Sequence, residues 1–291
     1  MKDAFIKYLK FEKRLSQHTI LSYSNDLNQF ILFYKQYSSN QSIEKVDQRS
    51  IRSWIVELSL NNLSPRSINR KIATIRSFYK FLIKRDCIKK NPTANINSLK
   101  TDQTIPNFIK EKDIKILFQN LVVKKDYNGH RDKLILELLY GTGIRISELI
   151  NLKINDINLI KKEIKVLGKR KKERIIPLHE NAYLEIKNYL SIYNEKKNGD
   201  DFLMVTKNGK KLYPMLIYRI VKKQLSSLIN SKKYNPHLLR HTFATHLLNK
   251  GGDLNSIKDL LGHSSLAATQ VYTHNSIEKL KETFNSSHPR A

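Results

Sequence analysis

The sequence predicts a mainly α-helical protein of two domains, with a small β-hairpin or meander in the second. Three observations lead there. Apolar residues recur at helical spacing through most of the chain. A polar stretch with two prolines, KKNPTANINSLKTDQTIP at 89–106, interrupts that pattern. Two short β-rich runs, EIKVL at 163–167 and RIIPL at 174–178, flank the basic turn GKRKKE. At 291 residues the chain is long enough for about two cores.

The elements follow in order. Phe5, Tyr8 and Leu9 begin an apolar stripe. Ser16 or Thr19 caps a second helix, whose face carries Ile20, Tyr23, Leu27, Phe30, Ile31 and Tyr34. A third runs near Gln48 to Leu60 and includes Trp54. Ser64 as N-cap and Pro65 in the first turn start a fourth. Its apolar face is Ile68, Ile72, Ile75, Tyr79 and Leu82; Arg66, Arg70, Arg76, Lys80 and Lys84 cover the other sides, either as a solvated face or against phosphates. We expect a first domain at 1–88, a linker at 89–106, a second domain at 107–285 and a tail at 286–291. The second domain opens with helices near Lys112–Leu121 and Arg131–Tyr140. Gly141-Thr142-Gly143 breaks the latter, and a short helix then carries Arg145, Glu148 and Leu149. After the β-rich runs come helices near Glu180–Tyr193 and Pro214–Leu228, and between these a turn at Asn208-Gly209 that could join two short strands. Further helices are expected at His237–Lys250, closed by Gly251 and Gly252, then at Asp253–Leu261, Ser265–Tyr272 and Ile277–Phe284.

Charge bounds the function. Lys and Arg number 53 against 26 Asp and Glu, a net charge of +27. Residues 1–100 hold 19 basic and 7 acidic residues, and the remainder 34 and 19. Both domains are therefore basic, as expected of a protein that grips a polyanion from two sides; a Lys-rich composition also follows from an AT-rich coding bias. Cys87 is the only cysteine, which excludes an internal disulfide and a Cys-based zinc site and suits a reducing compartment. The amphipathic N-terminus lacks the apolar core of a signal peptide, and no apolar run reaches the ~18 residues of a membrane span. A cytoplasmic protein is expected.

No GxxxxGK[ST] phosphate loop is present, so nucleotide hydrolysis is not expected. Asp156 has an amide, Asn155, beside it and does not form a two-metal carboxylate pair. Phosphodiester chemistry here would therefore run without metal. It needs a nucleophile, cations for the phosphoryl oxygens and an acid for the leaving oxygen. The C-terminal half offers these types. His237 and Arg240 lie three apart, on one helix face. His263 follows Gly262, Tyr272 lies nine residues beyond, Arg145 follows a Gly-rich break, and Lys169 sits in a turn between strands. Each also has a plain reading: Arg145 pairs with Glu148, Tyr272 packs in a core, His263 caps a helix, and Lys169 is one lysine among many.

Together these segments resemble the tyrosine recombinases (phage integrases), and within them the bacterial Xer type that resolves chromosome dimers. GTGIRISELINL is similar to that family's first arginine box, HLLRHTFATHLLNKG to its His-x-x-Arg box, and LLGHSSLAATQVYTH to the box with the second histidine and the nucleophilic tyrosine. LSQHTILSYSNDLNQF and LSPRSINRKIATIRSFYKFL resemble its N-terminal core-binding domain, and the ending HPRA resembles Xer C-termini. The hairpin reads GKRKKER where the family has GKGNKER; position after Gly168 selects Lys169 over Lys171 and Lys172.

The resemblance implies a two-domain architecture, an N-terminal helical core-binding domain and a C-terminal catalytic domain. It also implies roles. Tyr272 attacks the scissile phosphate and forms a 3′-phosphotyrosyl bond. Arg145 and Arg240 hold the non-bridging oxygens, and Lys169 protonates the departing 5′-oxygen. His237 assists proton transfer, His263 hydrogen-bonds the phosphate, and Glu148 orients its neighbours. No cofactor, ATP or metal is implied. The implied partners are a double-stranded DNA site, a homo- or hetero-tetramer on two duplexes, a paralogous recombinase and a septal DNA translocase. The segment Ser276–Ala291 docks either in a neighbouring subunit or on its own domain.

Overall fold

The computed structural model describes residues 1–38, 41–101, 107–121, 126–168, 172–193, 201–226, 234–262, 284 and 286–288. The chain divides into two compact units, Met1–Thr104 and Ile105–Ala291.

The first unit is helical. Helix α1 (Lys2–Lys7) runs on into a π-helical turn, Tyr8–Glu12. Helix α2 (Gln17–Tyr37) is capped by Ser16, whose side chain accepts the Thr19 N–H at 3.3 Å. Of the two expected caps, Ser16 is the one in place, and Thr19 falls in the first turn. Asp47 caps α3 (Gln48–Leu60) and Ser64 caps α4 (Pro65–Lys84), with Pro65 at the first position, where its missing N–H costs nothing. The apolar stripes meet in one core. Phe30 lies 4.8 Å from Trp54, and Phe5 lies 5.3 Å from Phe78, edge-on.

Residues expected to link the domains are tied to α4. The Asn69 side chain donates to the Leu99 carbonyl at 2.8 Å and accepts the Leu99 N–H at 2.7 Å. Arg76 donates to the Ile96 carbonyl at 2.6 Å, and Thr93 and Ile96 are buried. Polarity and proline content read as linker because a segment held through its backbone carries no apolar period. The basic face of α4 is also divided: Arg66 and Lys80 are exposed, whereas Arg70 pairs with Asp26 and Arg76 holds the 96 carbonyl.

The second unit packs helices around a small sheet. Helices α5 (Glu111–Gln119) and α6 (Tyr127–Gly141) come first. Helix α6 is buried almost all round, with Leu134, Ile135, Leu136, Leu138, Leu139 and Tyr140 all inside, so it forms the centre of this core. It includes Gly141 and stops at Thr142. Gly143 follows at φ +60°; a Cβ there would stand 2.6 Å from the Phe243 ring and 2.8 Å from Leu261, so glycine is required. Helix α7 (Ile146–Asn151) starts one residue later than expected, leaving Arg145 at its N-cap.

Strands β1 (Ile157–Asn158), β2 (Glu163–Leu167) and β3 (Glu173–Pro177) form an antiparallel meander in the order β1-β2-β3, with Lys165 opposite Ile175 and Leu167 opposite Glu173. Strand β1 was not expected; two residues are too few to show alternation. Helices α8 (Glu180–Tyr193), α9 (Pro214–Ser226), α10 (Pro236–Asn249) and α11 (Leu254–Leu261) complete the described elements. The turn at Asn208-Gly209 is flanked by a single bridge between Val205 and Lys211 rather than by strands. The helices expected at Ser265–Tyr272 and Ile277–Phe284 lie outside the described residues, apart from Phe284. That residue is buried near Phe243, and His288 donates through Nε2 to the Gly141 carbonyl at 3.0 Å. These C-terminal residues thus pack on their own unit. No described helix is long and apolar enough to cross a membrane.

Candidate active site

Three arginines converge on the C-terminal end of α11. A helix leaves its last carbonyls without intrahelical partners, and its dipole makes that end negative. Arg174 donates through Nε to the Leu260 carbonyl at 2.8 Å, Arg240 through Nη2 to Leu261 at 2.5 Å, and Arg145 through Nη2 to Gly262 at 2.6 Å. Arg240 also donates to the Gly143 carbonyl, in the turn before Arg145. Gly262 closes α11 in the left-handed conformation at φ +62°.

Each side chain is delivered by local structure. Arg145 leaves the chain where α6 has ended and α7 begins. Arg240 lies one turn into α10, which Asn235 caps and Pro236 starts. Arg174 occupies an inward position of β3, two residues from the buried Ile176, because alternate residues share a face. The Gly168 N–H donates to the Lys172 carbonyl at 2.8 Å and closes the hairpin from which Lys169 is expected to project.

Glu148 balances this charge in part. Its Oε1 accepts from Arg145 Nη1 and Arg174 Nη1, both at 2.8 Å. Its Oε2 accepts from Arg174 Nη2 at 2.8 Å and from the Arg145 backbone N–H at 2.9 Å. Burial by itself would raise its carboxyl. The two-pronged Arg174 contact and the Arg145 bonds outweigh that and hold it down at about 2. Arg240 moves the other way. Burial first, then the neighbouring Arg145, pull it down to about 9, still protonated at neutral pH. Three guanidiniums against one bonded carboxylate make a site that an anion stabilises.

Of the six expected site residues, Arg145 and Arg240 are brought together on consecutive carbonyls. His237 is exposed on the first turn of α10, one turn before Arg240. Lys169, His263 and Tyr272 lie outside the described residues. Sequence reasoning missed Arg174. The available signal was a charged residue in phase with the apolar side of a strand, a place that requires a buried carboxylate partner.

Both units resemble known proteins. The phage integrase family model covers residues 107–279, and a phage integrase N-terminal SAM-like domain covers 3–86. The chain is 38% identical over 292 residues to the tyrosine recombinase XerC of Bacillus subtilis, across 99% of this chain and 95% of the relative. The chain belongs to the phage integrase family, the tyrosine recombinases. Its reaction class is therefore site-specific recombination, the cutting and rejoining of DNA, and DNA is its partner. Similarity extends to the tyrosine recombinase XerC of Chlorobaculum parvum, 36% identical over 316 residues, covering 99% of this chain and 94% of that one. It extends equally to the tyrosine recombinase XerD of Staphylococcus saprophyticus, 36% identical over 292 residues and covering 99% and 98%. Among solved structures, the XerA recombinase aligns over 100% of this chain and 99% of its own, at 27% identity and a TM-score of 0.51. The XerH site-specific recombinase, bound to its palindromic difH substrate after cleavage, aligns with a TM-score of 0.74 at 20% identity, over 97% and 93%, and shares the fold.

Proposed function

We propose that this recombinase opens a DNA strand with Tyr272 and resolves chromosome dimers at cell division. The Tyr272 phenol oxygen attacks the scissile phosphorus and forms a 3′-phosphotyrosyl bond. The bond to the 5′-oxygen breaks, and Lys169 supplies the proton to that oxygen. Arg145 and Arg240 hold the two non-bridging oxygens, His263 hydrogen-bonds the phosphate, and His237 takes part in the proton transfer at Tyr272. Rejoining reverses each step on a new strand. The guanidiniums supply the charge that a metal provides in other phosphoryl-transfer sites, and the covalent bond retains the phosphodiester energy, so neither metal nor ATP enters. The working form is a tetramer on two duplexes, in the cytoplasm, built of this chain alone or with a paralogue and responsive to a septal DNA translocase.

The observation that carries this reading is the paired anchoring of Arg145 and Arg240 at the end of α11, just before the segment with His263 and Tyr272. A suicide duplex nicked beside the cleavage point tests it. Wild-type protein should form a covalent adduct on denaturing gels, and Tyr272→Phe should form none. An adduct from Tyr272→Phe at the wild-type rate overturns the assignment. Sequencing the trapped DNA then identifies the site, and a sequence away from the chromosome's replication terminus argues for a mobile-element integrase instead.

A further inference from the structure

We propose that Arg174 is a positioning residue for the cleavage step: it fixes Glu148, and through Glu148 it fixes the Arg145 guanidinium that receives the phosphoryl group. The inference rests on the reading of the site given above and deepens it.

Two arginines share one carboxylate and are placed differently. The Arg174 side chain is 4% exposed and that of Arg145 is 28% exposed. Arg174 spends Nε, Nη1 and Nη2 on Leu260 and both oxygens of Glu148. It is committed to the protein on all three nitrogens. Arg145 uses Nη1 on Glu148 and Nη2 on the Gly262 carbonyl, and keeps further N–H donors and an open side for an anion. The buried arginine holds and the open one binds.

Two glycines bring the backbone close to this arrangement. A Cβ on Gly262 would stand 3.2 Å from Arg174 Nη1 and 3.3 Å from Arg145 Nη1. One on Gly168 would stand 3.5 Å from Arg174 Nη1 and 3.6 Å from Glu148 Oε1. Arg174 therefore joins three separate pieces of chain: β3, the start of α7 and the end of α11. Lysine cannot replace it, because one ammonium does not present two parallel N–H bonds to a carboxylate together with a third to a carbonyl. In metal sites the partners that orient the ligands contribute about 10- to 100-fold, and Arg174 is expected to act on that scale.

The test compares two versions of the nicked suicide duplex recovered by the Tyr272 trap. One carries an ordinary scissile phosphate. The other carries a methylphosphonate there, which lacks one anionic oxygen and so needs less guanidinium charge. Arg174→Lys should bind the ordinary duplex within threefold of wild type and form adduct on the order of 10²-fold more slowly. On the methylphosphonate the deficit should shrink at least tenfold, as it should for Arg145→Ala, since both act at the charged oxygens. Cleavage within threefold of wild type overturns the proposal, and so does a deficit of equal size on both duplexes, which marks general damage. Should Arg174→Lys lose its cooperative melt, Glu148→Gln weakens the same link from the other side and carries the same expected narrowing. If wild-type protein forms no adduct, the reading of the site fails; if it does and Arg174→Lys matches it, only this inference fails.

Discussion

Each unit buries a carboxylate among cations, Asp26 in the first and Glu148 in the second, and the two arrangements differ in what they leave over. In the first, Asp26 is 2% exposed and accepts from the Lys71 ammonium and the Thr74 hydroxyl, at 3.0 and 3.1 Å, while Arg70 caps it from outside. Lys71 is itself buried and also donates to Gln29. The network is closed, and its product is the register of α4 on α2. In the second, Glu148 serves Arg145 and Arg174, while Arg240 is fixed by carbonyls alone. A carbonyl orients a guanidinium without cancelling its charge. The first network is complete without a ligand; the second is completed by an anion. Ion pairing in a core is thus not by itself a sign of function, and the count of cations left unneutralised is the discriminating quantity.

Four substitutions sharpen this contrast. Arg240→Ala has the largest expected effect. Cleavage of the suicide duplex should fall on the order of 10³-fold or more, by comparison with other phosphoryl-transfer arginines. Affinity for DNA in a gel-shift assay should stay close to wild type, because backbone contacts elsewhere supply it. Next, Asp26→Ala should destabilise the protein by about 3–5 kcal/mol in urea unfolding, since it strands the buried Lys71 charge. Its cleavage rate under native conditions should be unchanged. If Asp26→Ala instead cleaves slowly while fully folded, the two networks are not as different as drawn.

Glu148 gives a pH dependence. Its carboxyl sits near 2 in the fold against an ordinary value near 4.5. A lowered acid stabilises the fold above the unfolded value and loses that contribution as pH falls from about 4.5 toward 2. At neutral pH it is worth roughly 3 kcal/mol. Glu148→Gln should flatten the acid limb of the stability profile across that window, and an unchanged acid limb would contradict the assignment. The smallest effect is expected at Ser64, an exposed N-cap. Ser64→Ala should cost about 1 kcal/mol in thermal melts, with cleavage unaltered.

Much of the fold was legible because its signals are local. Ser64-Pro65 marks a helix start by backbone chemistry that neighbouring residues complete. The tight turn at Gly143 and the β2–β3 hairpin were visible for the same reason. The attachment of residues 91–99 to α4 is not legible, because Asn69 and Arg76 hold its backbone from another helix and no pattern within the segment records that. Strand β1 was missed because two residues carry no period. In the site, Arg145, Arg240 and Glu148 stood out through their motifs, whereas Arg174 stood inside a strand pattern and looked like an ordinary alternation.

The sequence alone determined the class of helix-rich two-domain protein, the excess of positive charge, and the residue types available for phosphoryl transfer. These depend on composition and on spacings of one to four residues, which short-range backbone and side-chain physics fix. Only the tertiary structure decided which cations are balanced and which are not. Arg70 reaches Asp26, 44 residues away, whereas Arg145 pairs with the nearby Glu148 and reaches the Gly262 carbonyl, 117 residues away. Those long-range partners arrive from other elements, and the burial of Asp26 and Glu148 makes each pairing energetically decisive.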